Sequence, residues 1–375
     1  MTDTSGPPFR ADHVGSLLRP QGLLEARARF AAGEIDAAEL RSVEDEAIAD
    51  VVRLQGDVGL RTATDGEFRR ASWHMDFIYA IGGISKVTGE DIVVHFKNAD
   101  GTIDFTPAGL HVDGPLSIDE PIFAADFAYL QGQVGQTQTA KLTIPSPSMV
   151  HYRGGAAAID PAVYPDEDAF WDALSAAYAQ QVQGIAAQGC TYLQLDDTSL
   201  AYLNDPAQRA ELAAQGRDAE HQHERYIRQI NAALAGRPEG LTVTTHMCRG
   251  NFRSSWVAEG GYDFVAEALF GGLEVDGFFL EYDDARSGGF EPLRFVPPGK
   301  RVVLGLVTTK RPQLEDKDDL KRRIDEAARY VPLEQLALSP QCGFSSTVEG
   351  NALTRDEQIA KLALVVETAQ EVWGY

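Results

Sequence analysis

Short apolar runs, rich in β-branched residues, recur along the chain and are separated by longer amphipathic stretches. The short runs predict strands, and the longer stretches, with apolar positions three and four residues apart, predict helices. The predicted strands cover residues 9–16, 61–64, 139–145, 192–197, 241–247, 277–280, 301–308 and 336–339. The predicted helices cover residues 21–32, 36–58, 167–188, 206–235, 254–269, 318–330 and 354–373.

The repeated order of strand and helix, with eight predicted strands, is typical of a (β/α)8 TIM barrel, an α/β fold. A doubly wound sheet is the alternative, but no phosphate-binding loop of the G-x-G-x-x-G or Walker type follows a strand. A barrel takes about 250 residues, and this chain has 375. We assign the remainder to extra N-terminal helices and to an inserted β-hairpin at about residues 81–119, where residues 92–96 alternate in polarity. We expect residues 1–375 to form a single domain.

Composition and charge narrow the possible partners. The chain is 44% hydrophobic and 24% charged, and its 56 acidic and 33 basic residues give a net charge of −23. This charge argues against nucleic acid and acidic membranes as partners. No apolar segment approaches the ~20 residues of a membrane span, and the N-terminus lacks the features of a signal peptide. We therefore expect a cytoplasmic protein; its oligomeric state is not indicated.

Cysteines at strand ends are the main chemical signal. The three cysteines are too few and too scattered for a disulfide framework. Cys190 begins the apolar run 190–195, which leads into the predicted strand at 192–197, and is interpreted as a packing residue; Cys248 and Cys342 follow the ends of their strands. His246 lies two residues before Cys248, so both side chains point to the same side of the strand. Glu281 ends another run.

In a barrel, active sites lie at the C-terminal ends of the strands. We therefore expect His246, Cys248, Cys342 and Glu281 to bind zinc, since nitrogen and sulfur ligands suit zinc and exclude calcium and magnesium. Ligands from different strands favour a catalytic zinc over a structural one. A structural zinc, no metal at all, and a neighbouring aspartate in place of Glu281 remain alternatives.

The ligand types indicate a thiol substrate. Zinc lowers the pKa of a bound thiol below ~8.5, so a thiolate forms at neutral pH. Two cysteine ligands make zinc a poor activator of water, so the set favours S-alkylation over hydrolysis. Glu67 and Asp196 follow other strands and could hold the ammonium group of an amino-acid thiol, while Ser16 takes its carboxylate.

These residues resemble the catalytic half of cobalamin-independent methionine synthase. The matching pieces are residues 13–16, 65–67, 193–196, 245–248, 280–281 and 339–343. The resemblance implies a barrel whose zinc binds homocysteine as thiolate, with 5-methyltetrahydrofolate as methyl donor. It also implies zinc ligation by His246, Cys248, Glu281 and Cys342, and binding of the amino-acid end of homocysteine by Ser16, Glu67 and Asp196.

The chain departs from this family in three ways. It has room for one barrel rather than two, as in a short, single-barrel branch. The family's histidine after the seventh strand, a proton donor, is absent, and Lys310 is nearest; Lys310 could donate a proton or anchor the acidic tail of a folate. The tryptophan that stacks on the pterin is replaced by His151 or Tyr152. The methyl donor and any helper protein therefore stay open.

Two other functions remain possible. A zinc-dependent alkyltransferase could join a coenzyme M-type thiol to an epoxide, and Arg69, Arg70 or Arg249 could then bind the sulfonate. The chain could also be a zinc- and thiol-binding protein without turnover.

Overall fold

The structure, a computed structural model, describes residues 6–87, 94–98, 101–105, 109–152 and 154–374. The strands in these ranges are β1 (Thr62–Ala63), β2 (Gly82–Val87), β3 (Val94–Asn98), β4 (Gly101–Phe105), β5 (Gly109–Ser117), β6 (Thr139–Ala140), β7 (Leu142–Pro145), β8 (Tyr192–Asp197), β9 (Thr242–Met247), β10 (Gly277–Glu281), β11 (Arg301–Val307) and β12 (Leu336–Pro340).

The α-helices of the same ranges surround the strands. They are α1 (Gln21–Ala31), α2 (Ala37–Asp57), α3 (Met75–Ile78), α4 (Ala124–Gln133), α5 (Ser148–Tyr152), α6 (Glu167–Ala187), α7 (Ser199–Tyr202), α8 (Pro206–Ala214), α9 (Gln222–Leu234), α10 (Ala266–Gly272), α11 (Lys317–Ala327) and α12 (Arg355–Trp373). None of the helices in the described ranges is long and apolar enough to cross a membrane.

Parallel strands form the barrel wall. Six of them pair in the order β12-β11-β10-β9-β8-β7, and β6, which leads into β7, pairs with β1. Ala11 forms a parallel bridge to Leu338 of β12, which brings the start of the chain beside the last strand. Every residue of β10, β11 and β12 is buried, as expected where helices cover one face and the barrel interior the other. The predicted (β/α)8 barrel is therefore confirmed.

Two predicted strands are shorter or interrupted. The first, at 9–16, contributes only the bridge at Ala11, with Asp12 N donating to Leu338 O (3.0 Å). The third is divided at Lys141, whose N donates to Ala63 O (2.9 Å) after β6 and before β7. The chain changes its pairing partner at this point, so a single continuous strand was the wrong prediction.

Two predicted helices are also divided or shortened. The stretch 206–235 forms α8 and α9, which are separated near Gly216 (φ +77°). The stretch 254–269 is helical only from Ala266, because Ser254 (φ +65°) and Gly260 (φ +121°) adopt backbone conformations that a right-handed helix excludes. The extra N-terminal helices α1 and α2 form as predicted.

The inserted hairpin is a pair of antiparallel ladders. Strand β2 pairs with β5, and β3 pairs with β4. The predicted alternation at 92–96 is seen only from Val94, because residues 92 and 93 lie outside the described residues. Strand β3 also bridges to the loop after β9, where Lys97 and Trp256 exchange backbone hydrogen bonds (2.6 and 2.9 Å). The insertion thus lies against a loop at the C-terminal end of the barrel.

Candidate metal centre and substrate cavity

Four potential metal ligands meet at the C-terminal ends of three strands. His246 lies in β9 and Cys248 directly follows it, Glu281 ends β10, and Cys342 follows β12 by two residues. All four side chains are buried, and their ligand atoms lie within 4.8 Å of one another. The two sulfur atoms are 3.4 Å apart. The strand ends thus bring together the residues that the sequence predicted.

Several polar atoms of this cluster have no hydrogen-bond partner. Among the described residues, this holds for both ring nitrogens of His246 and both carboxylate oxygens of Glu281. A buried polar group without a partner costs about 1–3 kcal/mol, and more when it is charged. A bound cation would satisfy these atoms, so the cluster suits a metal ion.

The two cysteine sulfurs are in hydrogen-bond contact with each other. This contact raises the pKa of Cys248 well above that of an ordinary cysteine and lowers the pKa of Cys342 well below it. Burial raises the pKa of Glu281, while the positive charge of Lys310 opposes this shift. The Lys310 ammonium is itself buried and has no hydrogen-bond partner in the described part of the chain. Lys310 therefore supplies positive charge beside an acidic ligand set.

Two buried carboxylates lie on the neighbouring side of the site. Glu67 Oε1 accepts a hydrogen bond from Thr143 Oγ1 (2.8 Å), and no described group bonds its Oε2. Asp196 Oδ1 accepts one from Gln194 Nε2 (2.6 Å). Burial raises the pKa of both carboxyls, and that of Asp196 to about 7. Buried carboxylates of this kind are suited to a positively charged ligand, because the ligand would compensate for the contact with water that burial removes.

Ser16 lies against the loop that carries Cys342. Its Oγ accepts a hydrogen bond from Ser345 N (3.3 Å). A Cβ atom on Gly343 would come within 2.0 Å of the same oxygen, so a larger residue after Cys342 would displace the Ser16 hydroxyl. The close approach of Ser16 is therefore a steric reason for the glycine that follows Cys342.

A cavity of about 300 Å³ joins the two groups. Its wall includes Ser16, Glu67, Asp196, His246, Cys248 and Cys342. Glu281 and Lys310 are not on this wall. The charge of Lys310 lowers the pKa of Cys342, and a carboxylate oxygen of Glu281 lies within 4.8 Å of the Cys342 sulfur. Six of the nine predicted site residues thus line one cavity, and two more lie behind it.

His151 is the predicted site residue that lies elsewhere. Its ring packs against Trp171 (centroids 4.9 Å apart), and its nitrogens face Glu167 (3.2 Å) and the Tyr226 hydroxyl (3.1 Å). It borders a separate surface depression with Arg217. The structure does not bring His151 to the cavity, because the chain turns into α5 directly after β7 and carries the ring towards α6 and α9.

Sequence reasoning missed part of the cavity wall. Trp73, Phe96, Asn251 and Phe252 all line it. Asn251 and Phe252 follow Cys248 so closely that proximity to a predicted ligand could have identified them. Phe96 carried no such signal, because it lies in the inserted hairpin, whose position depends on contacts distant in sequence.

Comparison with known proteins identifies the family of this chain. The family model for the catalytic domain of cobalamin-independent synthase matches residues 10–371. Protein YxjG of Bacillus subtilis is 47% identical, over 98% of this chain and 95% of that protein. The methionine synthase of Pyrococcus abyssi is 24% identical, over 88% of this chain and 85% of that protein.

Solved structures share the fold. A Listeria monocytogenes protein, provisionally assigned as a vitamin-B12 independent methionine synthase, superimposes with a TM-score of 0.78 at 39% identity, covering 98% of this chain and 99% of that one. A B12-independent methionine synthase from Shewanella, solved in complex with selenomethionine, superimposes with a TM-score of 0.70 at 18% identity. The match covers 97% of both chains.

Proposed function

The chain belongs to the cobalamin-independent synthase family, and on this premise we propose that it transfers a methyl group to homocysteine, forming methionine, with zinc as cofactor. The observation that carries the proposal is the buried group of four potential ligands, three of which line a cavity that also contains two carboxylates. We further propose that residues 1–375 act as one catalytic domain.

The four ligands fit zinc better than other biological cations. Imidazole and thiolate are preferred zinc ligands, and a carboxylate completes the set. His246, Cys248, Glu281 and Cys342 would hold the ion. When bound, zinc would lower the pKa of the substrate thiol and keep it as a thiolate at neutral pH.

The remaining residues orient the substrates. Glu67 and Asp196 would bind the ammonium group of homocysteine, and Ser16 its carboxylate. The substrate thiolate then attacks the methyl carbon of the donor, so that the sulfur–carbon bond forms as the nitrogen–carbon bond breaks. The leaving nitrogen keeps the electron pair and takes up a proton, for which Lys310 is the proposed source. A donor of the 5-methyltetrahydrofolate type supplies such a methyl group.

The arginines favour homocysteine over a sulfonate thiol. Arg69 is ion-paired with Asp45 and Asp126, and Arg249 donates to the Tyr262 hydroxyl (3.0 Å). Arg70 lies 3.8 Å from Glu67. None of the three is among the described residues that line the cavity. The coenzyme M-type reaction would lack its expected anion site.

Metal content tests the first part of the proposal. We expect about one zinc per chain in the wild-type protein, measured by elemental analysis after dialysis, and loss of most of it in Cys248→Ser and Cys342→Ser. Cys190→Ser is the matched control, because Cys190 is buried near the start of β8 and donates to Tyr192 O (3.4 Å). Full zinc retention in both ligand variants would contradict the metal site. Absence of methionine formation by the zinc-loaded wild type with any methyl donor would contradict the function.

A further inference from the structure

A buried arginine lies behind the cavity wall and has no part in the function proposed above. Arg19 is 8% exposed, and it is not among the described residues that line the cavity. Its two terminal nitrogens donate to five acceptors, which belong to two segments far apart in the chain. Burial lowers the pKa of Arg19 to about 10, so the guanidinium keeps its charge at neutral pH.

The first of these segments is the turn after β1, which carries Glu67. Arg19 Nη2 donates to Glu67 O and to Arg70 O, both at 2.8 Å. Glu67 has a φ of +60°, in the left-handed region that residues other than glycine rarely adopt. Such a conformation persists where surrounding contacts impose it. Asp65 and Arg70 hold the Glu67 backbone from within the turn, and Arg19 holds it from another part of the chain.

The second segment is the loop after β12, which borders the same cavity. Arg19 Nη1 donates to Ser345 Oγ (2.7 Å), to Ser345 O (3.2 Å) and to Thr347 O (3.0 Å). One guanidinium therefore joins the turn after β1 to the loop after β12. The planar fork of an arginine can reach acceptors on two segments in this way, whereas the ammonium of a lysine is a compact charge on a flexible chain.

The metal ligand that precedes this loop is held by other contacts. Gly343, directly after Cys342, accepts hydrogen bonds at its carbonyl oxygen from Asn251 Nδ2 (2.8 Å) and from Thr309 Oγ1 (3.1 Å). Neither bond involves Arg19. A change at Arg19 should therefore disturb the turn after β1 more than the proposed metal site.

We propose that Arg19 is a positioning residue, which fixes the turn after β1 against the loop after β12 and so directs the Glu67 carboxylate towards the ammonium group of the amino-acid substrate. Thr143 donates to Glu67 Oε1 (2.8 Å), while Oε2 has no hydrogen-bond partner among the described residues. The direction of Oε2 thus depends on where the Glu67 backbone is held. The inference rests on the proposed function, because it requires an amino-acid substrate in the cavity.

Binding of methionine, the product of the proposed reaction, tests the inference without turnover. Methionine is titrated calorimetrically into the purified protein at pH 8. Arg19→Lys keeps the charge but loses the fork, and it should raise the dissociation constant about 5- to 50-fold, a part of the ~10- to 150-fold expected when a charge-assisted contact is lost. Its zinc content should equal that of the wild type. Arg27→Lys is the matched control, because Arg27 donates to Phe68 O and to Arg70 O (3.2 Å) in the same turn, while its described hydrogen bonds include neither Glu67 nor the loop after β12.

A double-mutant cycle separates positioning of Glu67 from a general loss of stability. Glu67→Gln removes the charge that Arg19 would direct, so the addition of Arg19→Lys to Glu67→Gln should change the methionine affinity less than about 3-fold. A merely structural role would weaken binding by the same factor in both backgrounds. In kinetics, Arg19→Lys should raise KM for homocysteine and leave kcat and the KM of the methyl donor unchanged.

The possible outcomes distinguish the inference from the proposed function. Unchanged methionine affinity in Arg19→Lys, an equal loss in Arg27→Lys, or equal factors in both backgrounds of the cycle would overturn the inference. If circular dichroism shows that Arg19→Lys does not fold, Ser345→Ala takes its place, since Ser345 Oγ is the nearest acceptor of Arg19 (2.7 Å). Ser345→Ala should weaken methionine binding about 2- to 10-fold, and unchanged affinity would again overturn the inference.

The wild type provides the remaining comparison. Absence of methionine binding by the wild type would overturn the proposed function together with the inference that rests on it. Methionine binding that depends on Arg19, in a protein that forms no methionine from homocysteine, would support the positioning role and overturn the proposed function instead.

Discussion

Asp196 is a buried carboxylate whose charge changes near neutral pH. Burial raises its pKa to about 7, from 3.8 in an exposed aspartate, and Gln194 holds one of its oxygens. Only the ionised form attracts an ammonium group. Methionine is a suitable probe, because it has the same amino-acid end as homocysteine but no thiol that ionises or binds metal.

We predict that the metal-free protein binds methionine more tightly as the pH rises from about 6 to about 8. Asp196→Asn should bind it about 10- to 150-fold more weakly at pH 8, since a charge-assisted hydrogen bond contributes about 1.5–3 kcal/mol, and its affinity should depend less on pH in this range than that of the wild type. Calorimetry at several pH values makes the measurement, with Asp218→Asn, on the exposed surface, as control. Equal affinity in wild type and Asp196→Asn would rule out ammonium binding by this residue.

Lys310 lies close to the proposed metal ligands but not on the cavity wall. Its charge favours the ionised forms of Glu281 and of both cysteines. Burial leaves it 7% exposed, which does not suit an anchor for a donor tail in solvent. Its two remaining roles are balance of the ligand charge and delivery of a proton to the leaving nitrogen.

Lys310→Met separates these roles. We expect zinc affinity at neutral pH to fall about 10- to 100-fold, an effect of the size found for other residues that support metal ligands, because the Lys310 charge favours the ionised ligands. Competition with a chromogenic chelator measures this affinity. Lys361→Met is the control, because Lys361 is also a buried lysine but pairs with Glu315 (3.2 Å) away from the ligands. Unchanged zinc affinity with lost turnover and an unchanged donor KM would instead identify Lys310 as the proton donor alone.

At the scale of the element, strand ends were predictable and loops were not. The two-residue period of a strand placed His246 and Cys248 on one side. Glu281 and Cys342 were placed beside them because the C-terminal ends of all barrel strands meet at one end of the barrel. Both follow from local pattern and a general topology. The position of His151 depended on how the chain turns after β7, which no local pattern specifies.

The missed helix boundaries and the missed aromatic group have the same origin. The stretch 254–269 has helical spacing, but Ser254 donates its N–H to Asn351 (3.0 Å), a residue 97 positions away. The loop after β9 is shaped by this contact and by the bridge to β3. Contacts over such distances outweigh local propensity, so the sequence predicted the grouping of the four potential ligands better than the walls around them.

At the scale of the whole molecule, the proposed metal centre joins parts of the chain that lie far apart. Cys248 and Cys342 are separated by 94 positions. One hydrophobic core cluster extends from Ala11, at the first barrel position, to Ala369 in α12. This continuity supports the proposal that the chain forms one domain. A metal bound at these strand ends would add a cross-link between them that the unfolded chain cannot reproduce.

We therefore predict that metal removal lowers thermal stability without changing the fold. A ligand present at a thousand times its dissociation constant stabilises the folded state by about 4 kcal/mol, if the unfolded chain does not bind it, which corresponds to a shift of ~5 °C or more in Tm. Chelation of the zinc-loaded protein should lower Tm by this amount, while the far-UV spectrum at 25 °C stays the same. Circular dichroism at a fixed heating rate measures both quantities. Cys342→Ser should melt at one temperature with or without chelator, since it lacks a ligand. Loss of the far-UV signal on chelation would mean that zinc is required for folding, and an unchanged Tm in the wild type would mean that the strand ends are not joined by a metal in solution.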